Sequence, residues 1–297
     1  MPGYEQTFLE IVHHVVAKHP QLAPYIENAA AAAQGKDQGP LDVLATFPLF
    51  VPYSAGVYKD RVALTVQTIN QIFPFLGLLA QSVNGALLEP RNIETVPDSD
   101  AARQSVAAIK ERFDFHGSDK ATFHNYQHLY GTLLADRTSI GTIFEIGLGT
   151  HHADVVSNMG QAGKPGASLR AFRDYCPNAT VVGADIDKRV LFAEERITTH
   201  YVDQTDPATF DRLQAAIPAG SFDLFIDDGL HSANANIASL RFGLAIVKKG
   251  GWVVIEDIGG PVLPIWQVVA ALLPAAYAPK LYKDVTGSLV FVVRKPS

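Results

Sequence analysis

The chain has a single cysteine among 297 residues, Cys176, which excludes an internal disulfide and any zinc site built on cysteines. That scarcity suits a reducing compartment, and a cytoplasmic location is expected. Positive charge is also sparse: 24 Lys and Arg stand against 30 Asp and Glu, a net charge of -6. Nucleic-acid binding rests on clustered cations that neutralise phosphates, so nucleic acid is not expected as the main partner. The first residues lack a basic stretch followed by an apolar run and a small-residue cleavage site, so no secretory signal is expected. Residues 62–88 carry no formal charge, yet Gln67, Asn70, Gln71, Gln81 and Asn84 interrupt the run. Polar groups are costly in hydrocarbon, so this stretch is read as buried helices and no membrane partner is expected. Apolar residues are plentiful at 47%, against 18% charged, which is the balance of a globular chain with a sizeable core.

Two rhythms divide the chain. Residues 1–100 show helix-length apolar patterns, a Pro-punctuated aromatic stretch from Phe47 to Tyr53, and few β-branched runs. They read as a helical auxiliary domain that shapes an acceptor pocket or an oligomer interface, ending in a polar linker from Pro90 to Asp100. Residues 101–297 open with a helix near 101–112. Short apolar runs then alternate with helical segments: 142–146, 180–184, 197–202, 222–226, 252–255 and 288–293. This alternation predicts an α/β fold, a Rossmann-like parallel sheet with helices on both faces.

Several of these runs end on acidic residues. Phe222 to Ile226 is followed by Asp227, Asp228 and, three positions on, His231; Trp252 to Ile255 is followed by Glu256 and Asp257. On neighbouring parallel strands, Asp228, Glu256 and Asp257 would converge at the carboxyl edge, where open α/β sheets bind ligands. Three carboxylates and a histidine there suggest a hard divalent cation and a general base. The first run closes on Glu145-Ile146-Gly147-Leu148-Gly149, a turn that lets backbone approach a ligand. The third glycine of the dinucleotide fingerprint is missing, and Glu145 ahead of the glycines fits an adenosylmethionine site better. Asp185 ends the second run and can accept hydrogen bonds from both ribose hydroxyls, while Asp187 reads as a helix cap. Asp203 and Gln204 follow the third run, where an adenine edge would be read. Asp227 reads as a contact to the methionine amine or to adenine. Cys176 lies on an apolar helix face and reads as core.

These stretches resemble a known family. Gly117-Ser118-Asp119-Lys120 with Tyr126, Glu145 to Gly149, Gly166 to Arg170 with Asp174-Tyr175, Val182 to Asp187, Asp203 to Asp206, Asp227 to His231, and Glu256-Asp257 occur in an order similar to that of the class I S-adenosylmethionine-dependent methyltransferases. Within them the resemblance is to the metal-dependent sugar O-methyltransferases of macrolide antibiotic pathways, the mycinamicin type. It covers about residues 113–260. The resemblance implies that Asp228, Glu256 and Asp257 hold Mg²⁺ and that His231 is the general base. It implies that Glu145, Asp185 and Asp203 serve S-adenosyl-L-methionine, and Tyr126, Gly147, Gly149, Gln204 and Asp227 are placed in the same cofactor set. The expected activity is Mg-dependent O-methylation of a hydroxyl or sugar on a small natural product, by a homo-oligomer. Methylation at carbon or nitrogen, or a fold member that transfers no methyl (a cyclase or a binding module), stands as the alternative. His151-His152 after the glycine turn and Leu230 in place of a usual serine depart from the pattern, and residues 1–100 have no counterpart in it.

Overall fold

The computed structural model describes residues 87–297 except residue 156. The helices expected before residue 87, and the Phe47 to Tyr53 stretch, lie outside the described residues. The described residues divide between two compact units. Residues 90–259 with 276–297 form a sheet unit. Residues 87–89 and 260–275 belong to the other, where helix α7 (Leu263–Leu272) accepts Leu88 as a neighbour through Gln267 Nε2, which donates to the Leu88 carbonyl at 3.2 Å.

The sheet unit opens with a two-residue strand β1 (Arg91–Asn92) and the long helix α1 (Asp100–His116). Ser99 caps α1 by accepting the Ala102 N–H at 3.1 Å, and Gly117 ends it in the left-handed conformation. Two short helices follow, α2 (Asp119–Thr122) and α3 (Gln127–Leu133). Then come β2 (Thr142–Ile146), α4 (Ala167–Tyr175), β3 (Thr180–Asp185), β4 (Ala193–Glu194), β5 (Ile197–Tyr201) and α5 (Pro207–Ala216). The chain continues through β6 (Phe222–Asp227), α6 (Ala233–Ile246), β7 (Val247–Ile258), β8 (Lys280–Lys283) and β9 (Leu289–Arg294).

The strands lie in the order β1-β8-β9-β7-β6-β2-β3-β5-β4. β5, β3, β2, β6 and β7 run parallel, and β9 enters antiparallel between β7 and β8. After β2 the chain moves outward through β3 and β5, then returns to place β6 on β2's other side. The order therefore reverses between β2 and β6, the place where such sheets bind ligands. Central parallel strands are buried on both faces, and β6 is buried at all six positions. Ile143, Leu224, Ile226 and Val254 face a cluster with Phe113 of α1, Tyr130 of α3 and Phe172 of α4. Phe113 and Phe172 meet edge to face at 5.4 Å. Phe144 and Phe225 face the other way, against Phe242 of α6 at 5.6 and 5.7 Å.

The sequence reading is met by six of these strands and by α1. It differs at residues 90–100, read as a linker: Arg91 and Asn92 pair with β8, and Ile93 is fully buried in the core. No helix among the described residues is long and apolar enough to cross a membrane.

Candidate active site

The carboxyl ends of β2, β3, β5 and β6 surround a cavity of about 630 Å³, lined by Gly147, Gly149, Asp185, Asp203, Gln204 and Leu230 among others. That volume lies within the range of sites for small organic ligands. Its floor is the turn leaving β2. Gly147 has φ 94°, and a Cβ there would lie 1.9 Å from the Asp228 carbonyl oxygen, so only glycine lets the β2 and β6 ends come this close. Asp185 is 6% exposed and lines the cavity. It accepts the Leu148 N–H and the Asp187 N–H, both at 2.8 Å, which braces the glycine turn against the end of β3. Burial raises its carboxyl pKa, and the backbone donors oppose that shift. Asp187 caps the turn at 188–190 by accepting the Arg189 N–H at 3.0 Å. Asp203 Oδ1 is engaged by the N–H and hydroxyl of Thr205, at 2.8 and 2.7 Å.

Gln204 borders the cavity, but its amide is committed elsewhere. Nε2 donates to Asp227 Oδ1 and Ser239 Oγ, both at 2.7 Å, and Oε1 accepts the Leu230 N–H at 2.6 Å. It thereby fixes the loop after β6. Asp227 is fully buried, also accepts from Asn236 Nδ2 at 2.9 Å, and is pushed up to about 6 by burial. Glu145 is fully buried on the opposite face, where Ser168 Oγ donates to it at 2.8 Å; burial pushes it up to about 7 against the pull of Lys120. Glu145, Asp227 and Tyr126 are absent from the cavity wall. For the two carboxylates the cause is strand geometry. Side chains alternate faces along a strand, so Glu145 follows Ile143 toward α4 and Asp227 follows Phe225 toward α6.

Beyond the ends of β6 and β7 lies a second group. Asp228, His231 and Asp257 each offer a ligand atom within 4.8 Å of the others. His231 is exposed, and its Nε2 stands 3.7 Å from Asp257 Oδ2. Asp257 owes its direction to a bulge. Between Ile255 and Ile258 the β7 strand advances three residues while its partner β9 advances two, from Phe291 to Leu289. Asp257 takes φ 53°, a left-handed conformation that aspartate tolerates better than most residues. Tyr126 OH donates to Asp257 Oδ1 at 2.5 Å, with its ring stacked on His124 at 4.9 Å. Burial, then the neighbouring Asp257 charge, holds the Tyr126 phenol well above its usual pKa. His124 also reaches Asp284, Nδ1 to Oδ2 at 2.8 Å.

Glu256 points inward from the same strand end. It lies two residues beyond Val254 on the α3 face, fully buried, and accepts hydrogen bonds from Tyr130 OH and Lys120 Nζ. Burial drives its pKa well up, with Lys120 pulling the other way. Lys120, 1% exposed, also donates to Asp228 Oδ2 at 2.6 Å and stands 3.2 Å from Glu145 Oε1. Of the three carboxylates expected to hold a metal, the structure therefore brings Asp228 and Asp257 together with His231 and turns Glu256 toward Lys120. Lys120, Tyr130, His124 and Asp284 have no role in the sequence reading. A buried lysine in a four-residue helix leaves no periodic signal, though Lys120 lies in the stretch that carries the family resemblance.

The donor set fits a divalent cation. One ammonium faces three carboxylates, Glu145, Asp228 and Glu256, of which burial drives Glu145 and Glu256 toward their neutral forms, and Asp257 adds a further carboxylate at the edge of the cluster. Oxygen donors with an imidazole at hand match hard cations such as Mg²⁺.

No protein-family profile matches the chain. It is 32% identical over 153 residues to the 8-demethyl-8-alpha-L-rhamnosyl tetracenomycin-C 2'-O-methyltransferase of Streptomyces olivaceus, covering 51% of this chain and 38% of that one. It is 37% identical over 93 residues to the demethylmacrocin O-methyltransferase of Streptomyces fradiae, covering 31% of this chain and 23% of that one. The matches thus span well under half the length of these curated relatives. Among solved structures, the MycE methyltransferase from the mycinamycin biosynthetic pathway, in complex with Mg and SAH, superposes with a TM-score of 0.50 at 21% identity, over 86% of this chain and 71% of that one. The chain carries the Rossmann-like class I methyltransferase fold and is similar in sequence to natural-product sugar O-methyltransferases.

Proposed function

We propose that the chain is an S-adenosyl-L-methionine-dependent and Mg²⁺-dependent O-methyltransferase acting on a hydroxyl of a small, sugar-bearing natural product. One observation carries this reading: the glycine-turn cavity and the Asp228–His231–Asp257 group share one edge of the sheet and meet at Asp228. S-adenosylmethionine supplies the methyl group. Asp185, at the cavity wall, binds its ribose hydroxyls while bracing the Gly147–Gly149 turn, and Asp203 with Gln204 borders its adenine. Glu145, Asp227 and Tyr126 act behind that wall, holding Ser168, Gln204 and Asp257 in place. Asp228 and Asp257 hold the cation, with Glu256 fixed beside them by Tyr130 and Lys120. A divalent ion there supplies Lewis acidity that lowers the pKa of an acceptor hydroxyl. His231, exposed beside Asp257, takes the hydroxyl proton as general base.

The residues before Pro90 are proposed to belong to an auxiliary domain that shapes the acceptor pocket or joins copies of a cytoplasmic homo-oligomer. The acceptors that the sequence relatives are named for, a rhamnosyl tetracenomycin and a demethylmacrocin, both support a hydroxylated natural product as substrate. The test is incubation with S-adenosylmethionine, MgCl₂ and a panel of glycosylated polyketides, with mass spectrometry of the products and NMR assignment of the methylated atom. A new O-methyl ether is expected. A new C–CH₃ or N–CH₃ bond would replace this reading with the alternative acceptor class. Tight cofactor binding with no methylated product across the panel would favour a non-methylating role.

A further inference from the structure

In the proposed site Lys120 fixes Glu256, and its surroundings give it a further part. Its side chain is 2% exposed, yet it belongs to a four-residue helix remote in sequence from every strand it touches. Its ammonium has three N–H donors, and three carboxylates surround it: Asp228 Oδ2 at 2.6 Å, Glu145 Oε1 at 3.2 Å, and Glu256 Oε2. These carboxylates come from the ends of β2, β6 and β7, the three adjacent strands that form the middle of the site edge. Buried like charges repel strongly unless a cation lies between them. The ammonium therefore lets these three strand ends close up before any metal arrives. It also takes an oxygen from Asp228, one of the carboxylates available to a divalent ion, and turns Glu256 toward itself.

We propose that Lys120 is a positioning residue, a built-in counter-cation that shares Asp228 with the divalent ion and holds Glu256 beside it, assembling the site without metal and holding metal affinity down. The inference rests on the metal reading above. It has a consequence opposite in sign to an ordinary structural role: removing a buried, hydrogen-bonded residue should strengthen a binding site. With Lys120→Met the carboxylates lose their resident cation and a unit positive charge a few ångströms from the metal disappears. The Kd for Mn²⁺ should then tighten by at least about tenfold, while the melting temperature in EDTA falls.

The experiment is a Mn²⁺ titration of the full chain at pH 8, followed by the electron paramagnetic resonance of free Mn²⁺, on wild type and Lys120→Met. The same titration on Glu256→Gln and on Glu256→Gln with Lys120→Met covers failure of the single variant to fold, since the pair removes one charge of each sign. Tighter binding on loss of Lys120, in either background, is the expected result. A folded variant that binds Mn²⁺ equally or more weakly would overturn the proposal and leave Lys120 a packing residue. Absence of Mn²⁺ binding by wild type and variants alike would instead overturn the metal reading, and this proposal with it.

Discussion

Cys176 closes helix α4 with its side chain fully buried, and burial pushes the thiol up to about 12. Thiol reagents attack the thiolate, so the native chain should be inert to Ellman's reagent at pH 8 and should release one equivalent in denaturant. Fast labelling without denaturant would show that α4 opens readily. His231 presents the opposite situation: exposed on the loop after β6, its imidazole faces Asp257 at 3.7 Å and can meet an incoming hydroxyl. His231→Ala should lower kcat by about 10²–10⁴-fold, leave S-adenosylhomocysteine affinity unchanged, and respond to added imidazole. A variant with near-normal kcat would assign proton removal to another group. At this scale the sequence discloses residue type and approximate place, and hides partners. Asp185 could be chosen because it ends a strand beside the glycine turn. Lys120 could not, because its partners Glu145, Asp228 and Glu256 lie 25, 108 and 136 residues away and only the fold brings them together.

At the scale of elements, the site depends on how strands end. Gly147 lets β2 and β6 finish side by side, and its φ of 94° suits no side chain. Gly147→Ala combines that backbone strain with a Cβ driven into the Asp228 carbonyl, so a cost of about 2–4 kcal/mol is expected. Urea unfolding should register that loss, and S-adenosylhomocysteine binding should fall with it; an unchanged midpoint would mean the turn relocates freely. The central strands β2, β3, β6 and β7 were legible because each carries a largely apolar run of four or five residues, the pattern of a strand buried on both faces. β8, Lys-Leu-Tyr-Lys, offers only two apolar residues, and β1 and β4 have two residues each, too short for any periodic signal. The direction of the acidic tips was hidden for a different reason. Glu145, Asp227 and Glu256 are still within their strands, where the two-residue alternation sends each into a helix layer. Asp228 lies past the end of its strand, and Asp257 is turned by a bulge that hydrophobic pattern does not announce.

At the scale of the whole molecule, the two proposed sites share one sheet edge and have only Asp228 in common. The cavity is lined by residues from the ends of β2, β3, β5 and β6, and includes Asp228 but not Glu256, Asp257 or His231. Under the proposed function, cofactor binding and acceptor activation should therefore be separable, with Asp228 at their junction. Exhaustive dialysis against EDTA should abolish turnover, and MgCl₂ should restore it. The same treatment should change S-adenosylhomocysteine affinity by less than about threefold, under 1 kcal/mol, because no cavity-lining group but Asp228 would lose a metal neighbour. Asp228→Asn should reproduce this split, removing turnover while calorimetry still detects the cofactor. Persistent turnover in EDTA would remove the metal from the reaction. Parallel loss of cofactor binding would mean that the cation also organises the cavity, and that the β6 end transmits its presence through the close contact between Gly147 and the Asp228 carbonyl.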